Sequence, residues 1–153
     1  MNEKRYPAGL LTKWLESLIE SLDESLDEKT KKEVMEKCGK ACAIYDGDIE
    51  EIKAIKRNSE NLEEILDQIN QEKLWCGKWI KKGNTIYSIC KKCGCPLVRS
   101  QIIKPSPTFC DCSRGWAKSV FEVILEQPLQ VEQKKAIGRG DNICQFIVQF
   151  NNK

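Results

Sequence analysis

A chain of 153 residues and 17.6 kDa, 41% hydrophobic and 31% charged, has the size and balance of one soluble globular domain, which excludes collagen-like, disordered and membrane-spanning classes. No apolar run approaches the ~18–20 residues that cross a bilayer, and the start Met1-Asn2-Glu3-Lys4-Arg5-Tyr6-Pro7 lacks the apolar core of an export signal. The expected location is therefore cytoplasmic, with no membrane partner.

The formal charge of +2 conceals an asymmetry. Residues 1–75 carry 12 Lys/Arg against 18 Asp/Glu, a net of −6, and residues 76–153 carry 13 against 5, a net of +8. The basic residues fall in scattered pairs such as Lys81-Lys82, Lys91-Lys92 and Lys134-Lys135, so nucleic acid is not an expected partner. The two halves attract one another within a chain or across a dimer, and an acidic helical half also suits a basic protein partner. One domain spanning 1–153 is expected, with a helical half at 1–75 and a cysteine-rich sheet half at 76–153.

In chain order, Leu11, Trp14, Leu15, Leu18, Ile19 and Leu22 recur at spacings of three and four and predict a helix near residues 8–23. A second helix is expected from Asp27 to Ala43, capped by Ser25 or Asp27, with Val34, Met35, Cys38, Ala41 and Cys42 on its buried side. Gly39 inside it carries a helix cost, which a close backbone contact explains. Asp46-Gly47-Asp48 reads as a turn, with Asp48 and Glu51 capping a short helix. Asn58-Ser59 opens a fourth, striped by Leu62, Ile65, Leu66 and Ile69.

After residue 75 the pattern changes period. Residues 79–89 read as two short strands around Gly83-Asn84, a hairpin. Leu97 to Lys104 is expected as a strand closed by Pro105 and Pro107. Ser113 is expected to cap a helix carrying Trp116, Val120, Phe121, Ile124 and Leu125, ending before Pro128. Leu129 to Gln133 alternates, Gly138 to Asn142 turns, and Ile143 to Phe150 returns as a strand. The fold class is α+β: N-terminal helices, then a twisted antiparallel sheet with one long helix before a C-terminal hairpin.

Nine cysteines and no histidine confine the chemistry to thiols and carboxylates. An odd count without an export signal points to reduced thiols, a metal site or redox chemistry rather than a secreted disulfide framework. Seven of the nine cluster: Cys38 with Cys42 at helical spacing, Cys90, Cys93 and Cys95 as Cys-x-x-Cys-x-Cys in a Gly/Pro-rich turn, and Cys110 with Cys112 as Cys-x-Cys. Cys76 and Cys144 stand apart, and Cys144 reads as a small buried hydrophobe.

Three readings compete for these clusters. A zinc site would draw on Cys90, Cys93, Cys95, Cys110 and Cys112, the first two supplying a knuckle; iron–sulfur binding would use the same thiolates but has neither common ferredoxin spacing. A reactive thiol would be Cys110 or Cys112 at a helix start, with Asp111 as orienting group or proton acceptor. The third reading is buried and surface thiols without function. Clustering at turns counts against it. Cys38 and Cys42 are candidate contacts of a small-molecule site, and Trp116 and Phe121 are candidate walls either of its pocket or of the core, with the core reading favoured.

The stretches Cys112-Ser113-Arg114-Gly115-Trp116, Phe121-Glu122-Val123-Ile124-Leu125 and Gly140-Asp141-Asn142-Ile143-Cys144-Gln145-Phe146 together resemble the end of the vinyl-reductase-type small-molecule-binding domain. The same outline is similar to bacterial proteins of unknown function near the aminothiazoline-carboxylate hydrolases. Both resemblances cover the last third of the chain. They imply an α+β fold around a pocket for a small, often apolar molecule, and homodimers formed through N-terminal helices. Ala136 and Ile137 stand where relatives often have a further cysteine. Two functions follow as expectations: a small-molecule-binding or sensing domain with a zinc-capable thiol cluster, and a cysteine- or metal-dependent hydrolase of thiazoline- or thioester-like substrates.

Overall fold

A computed structural model describes residues 7–152; the start on which the export-signal reading rests lies, at residues 1–6, outside the described residues. Among those described, four helices come first: α1 (Leu10–Ser25), α2 (Glu28–Tyr45), α3 (Asp48–Arg57) and α4 (Leu62–Glu72). Asp27 is the cap of α2, its carboxylate accepting from the Thr30 amide, and Asn61 caps α4 by accepting from the Glu64 amide. The opening of α4 therefore lies past Asn58-Ser59, which instead close α3.

The second half contains β1 (Lys78–Lys82), β2 (Thr85–Cys90), α5 (Pro96–Arg99), α6 (Pro107–Leu125), β3 (Gln130–Lys135), a 3-10 turn (Ile137–Arg139) and β4 (Cys144–Gln149). The sheet is antiparallel in the order β1-β2-β4-β3, so the fold is α+β with a C-terminal hairpin. The β1–β2 hairpin turns at Gly83-Asn84 as its sequence predicts. Asn70 of α4 grips edge strand β1 from both sides, donating to the Trp79 carbonyl and accepting from the Trp79 amide, each at 2.8 Å. No helix among the described residues is long and apolar enough to cross a membrane.

Two expectations fail in the segment 97–113. Leu97 to Lys104 is not a strand: Pro96 starts the single turn α5, and Ile103 turns inward onto Met35 and Phe109. Helix α6 begins two turns before Ser113, at Pro107, because Ser106 accepts from the Phe109 amide and Pro107 is preorganised for the first helical position. Cys110, Asp111 and Cys112 are therefore helical. At about 100° per residue, Cys110 and Cys112 point to opposite sides of α6 rather than to the same side of an extended segment.

Helix α6 packs against α2 and α3 as well as β3, β4 and the 3-10 turn. Its Val120, Phe121 and Ile124 join Trp75, Trp79, Ile86, Phe146 and Val148 in the main core. Its contact with α2 runs backbone to backbone: a Cβ on Gly39 would lie 2.0 Å from the Cys112 carbonyl oxygen, and one on Gly115 would lie 2.2 Å from the Glu36 carbonyl oxygen. The close contact inferred from Gly39 alone is thus a reciprocal pair. Helix α1 buries no residue fully. Leu15, Ile19 and Leu22 lean on the smaller cluster, while Leu10, Leu11, Trp14 and Leu18 stay exposed.

Candidate functional site

The N-terminal half of α6 lies at the centre of the cysteines. Cys112 feels the charge of Cys42, Cys95 and Cys38, and Cys110 that of Cys144, Cys93 and Cys95. Cys42 in turn senses Cys95, and Cys144 senses Cys93. Cys110 and Cys112 face opposite ways from α6: Cys112 packs with Cys95 on the smaller core cluster, while on the sheet side Cys110 and Cys144 form a group beside the 3-10 turn.

The sheet-side group has a backbone cradle. The Ile137 amide donates to the Cys144 sulfur at 3.5 Å, and the next amide, that of Gly138, lies beside the Cys110 sulfur and favours its ionised form. A Cβ on Gly138 would stand 2.4 Å from that sulfur, so only glycine admits the approach. Cys144 is also the direct cross-strand partner of Cys90, and both side chains are buried on one face of the sheet. Cys144 is a small buried residue of the main core, as its place in the alternating last strand predicts; its pairing with Cys90 lies in β2–β4 register rather than in spacing along the chain.

Cys76 does not stand apart either. It is disulfide-bonded to Cys90, with Cα atoms 5.6 Å apart, where the sequence reading sets Cys76 apart from the clusters, and the bond removes Cys90 from a zinc knuckle with Cys93 in this state. Cys38, Cys42, Cys93, Cys95, Cys110, Cys112 and Cys144 are free thiols. Among the described residues, no three Cys, Asp or Glu side chains are arranged to hold a metal ion.

Burial raises the thiols of Cys42, Cys95, Cys110, Cys112 and Cys144. It pushes Cys112 up to about 12 and Cys110 and Cys42 up to about 11, and neighbouring cysteines add to the rise in each case. Asp111 is buried and its carboxyl is raised for the same reason, with the charges of Lys32, Arg114 and Arg139 pulling the other way. The helix-start environment that would lower the Cys112 thiol is absent, since α6 starts at Pro107.

Trp116 and Phe121, expected as walls of a pocket or of the core, pack with other aromatics in the main core. Phe121 is fully buried with its ring 4.9 Å from Trp79, and Trp116 meets Trp75 edge-on at 5.0 Å. Asp48 ties the group together, accepting from Trp75 Nε1 at 2.9 Å and from Trp116 Nε1 at 2.7 Å. Two surface grooves lie elsewhere. One of about 550 Å³ is bordered by Leu10, Leu11, Trp14 and Ile102, and one of about 660 Å³ by Asp67, Asn70, Lys73, Trp75 and Lys78. Neither is lined by a cysteine.

Residues 6–153 match the model of a family of unknown function, DUF6144. The chain belongs to that family. No curated protein matches it. Among solved structures, this DUF6144 chain is similar to a vinyl-4-reductase family protein from Methanocaldococcus jannaschii, at 16% identity and a TM-score of 0.39, over 97% of this chain and 83% of that one. That similarity spans nearly the whole chain, where the motif resemblance was confined to its last third.

Proposed function

We propose that this DUF6144 protein is a cytoplasmic ligand-binding or sensing domain, and that the reduced form binds a soft divalent metal ion of the zinc class through Cys90, Cys93, Cys110 and Cys144. What supports the reading is the cross-strand pairing of Cys90 with Cys144 and the approach of Cys144 and Cys110 to the Ile137 and Gly138 amides. Buried thiols that raise one another by repulsion become thiolates most readily when a cation balances them, and amides directed at sulfur stabilise the ionised state. Cys95 and Cys112, also expected as ligands from spacing, pack together on the smaller cluster and are not required for this set of four.

The test is titration of anaerobically reduced protein with cadmium(II), followed by thiolate charge-transfer absorption, beside elemental analysis for zinc. One ion per chain is expected, lost in Cys110→Ser and Cys144→Ser and kept in Cys38→Ser. Absence of stoichiometric binding by the reduced protein, or equal binding by the Cys110 and Cys144 variants, overturns the reading. The hydrolase alternative has weaker support: Cys110 and Cys112 are pushed up by burial and the chain has no histidine to act as base.

A homodimer belongs to the same proposal. Leu10, Leu11, Trp14 and Leu18 form an exposed apolar stripe along α1 beside the groove at Ile102. Sedimentation should show a dimer that Trp14→Glu with Leu18→Glu converts to monomer; a wild-type monomer at tens of micromolar refutes it.

A further inference from the structure

Cys90 is a sulfur with a cysteine on each flank. In the sheet order β1-β2-β4 it ends β2, with Cys76 two residues before β1 on one side and Cys144, the first residue of β4, on the other. We infer that Cys76, Cys90 and Cys144 form a thiol–disulfide exchange site: Cys90 bonds to either flanking sulfur, and Cys76, once released, reacts with a low-molecular-weight disulfide. The inference needs no metal and does not rest on the reading above.

The backbone admits both bridges. The Cα atoms of Cys76 and Cys90 are 5.6 Å apart in the bond that is present. Cys90 and Cys144 are direct antiparallel partners, a relation that sets Cα atoms about 4.5–5.5 Å apart, and disulfides span about 4.4–6.8 Å. Direct partners also share a face of the sheet, and here both side chains are buried. Exchange proceeds by attack on one sulfur of a disulfide as the other leaves, and the attacker comes from the side opposite the leaving sulfur. Strand β4 brings Cys144 to that side of Cys90.

Backbone groups beside the two flanking sulfurs favour opposite forms. The Ile137 amide donates to Cys144 Sγ at 3.5 Å, which supports a thiolate on the attacking sulfur. The Lys92 carbonyl oxygen lies 3.3 Å from Cys76 Sγ, placed to accept from a thiol on the leaving sulfur. Gly94 closes over the bond, since a Cβ there would lie 2.6 Å from Cys76 Cβ and 3.8 Å from Cys90 Sγ. Of the three cysteines only Cys76 is half-buried rather than buried, so external reagents meet the trio through Cys76.

In the first step the Cys144 thiolate attacks Cys90 Sγ. The Cys90–Cys144 bond forms, the Cys76–Cys90 bond breaks, and the electron pair leaves on Cys76; the proton lost by Cys144 is replaced at Cys76 from solvent, with no net oxidation. In the second, the Cys76 thiolate attacks a small disulfide, forming a mixed disulfide and releasing one small thiolate. One protein thiol is thereby oxidised as one half of the reagent is reduced. A small thiol in excess reverses both steps.

The experiment incubates the disulfide-bonded protein with oxidised glutathione at mildly alkaline pH and follows every linkage by peptide mass mapping. Glutathione on Cys76 and a Cys90–Cys144 bridge should appear together in the wild type. Cys144→Ser should lose both products and keep Cys76–Cys90; Cys144→Ala gives the same comparison if the serine variant folds poorly by circular dichroism. In reduced Cys76→Ser the same reagent should close Cys90–Cys144 directly. Absence of the Cys76–Cys90 bond at the start, absence of a Cys90–Cys144 bridge in the wild type or in Cys76→Ser, or glutathione on Cys76 in both Cys144 variants overturns the exchange site.

Discussion

Replacing Gly115 with alanine tests the packing on which the α2 side of the cysteine assembly depends. Intrinsic helix propensity alone favours the change by about 1 kcal/mol. The structure gives the opposite sign. The added Cβ would lie 2.2 Å from the Glu36 carbonyl oxygen, 2.6 Å from Glu36 Cα and 2.8 Å from Glu36 C. Ordinary contact begins about 1 Å farther out, and the obstructing atoms are helix backbone that no side-chain rotation can move aside. Overpacking costs about 1–3 kcal/mol in well-packed sites; a backbone clash belongs at the upper end, so the net destabilisation is about 2 kcal/mol. Urea unfolding followed by far-ultraviolet circular dichroism measures it directly. For a slope of about 2 kcal/mol/M, the midpoint should fall by about 1 M. Gly39→Ala should act alike, and the double variant should cost less than the sum because one separation of α2 from α6 relieves both clashes. A midpoint at or above wild type for Gly115→Ala refutes the reciprocal-glycine account.

Asp48→Ala leaves the indole N–H groups of Trp75 and Trp116 without their shared acceptor, and thermal unfolding should show a loss of about 2 kcal/mol, with Asp48→Asn less harmful because one carbonyl oxygen remains; an unchanged transition for the alanine variant would sink this. Asp23 is held below the usual carboxylate range, first by the Thr108 hydroxyl and then by the Lys31 ammonium. A folded-state pKa lowered in this way contributes stability above the unfolded value of about 3.9, lost as pH falls through the folded value. Asp23→Asn should therefore be destabilising at pH 7 and nearly neutral near pH 2, and a pH-independent difference would refute the linkage.

The elements were most legible where period and punctuation agreed. The stripe Leu62, Ile65, Leu66 and Ile69 became the buried face of α4, and alternation around Gly83-Asn84 became the β1–β2 hairpin. The failures lie where a local signal had a stronger competitor nearby. Ser113 looked like a cap because it precedes an apolar helix, but Ser106-Pro107 supplies an earlier cap and nucleating proline, which places Cys110 and Cys112 on opposite sides of α6. The cysteine assembly was half legible: spacing identified the neighbours Cys93/Cys95 and Cys38/Cys42, whereas the roles of Cys76 and Cys144 depend on the register of β1, β2 and β4, and no short-range pattern encodes that register.

The aromatic core is also an optical instrument. Trp75, Trp79 and Trp116 lie with ring centroids 5.0 to 6.4 Å apart, close enough for their electronic transitions to couple, while Trp14 is solvent-facing on α1. Near-ultraviolet dichroism will therefore report the buried trio as one chromophore, and red-edge emission will report Trp14. Because Trp75 is bonded to Cys76 in the chain, a disulfide quencher sits beside that chromophore whenever Cys76 is joined to Cys90. Oxidation and reduction of the pair will be visible as dimming and brightening of the protein's own fluorescence, with no label added.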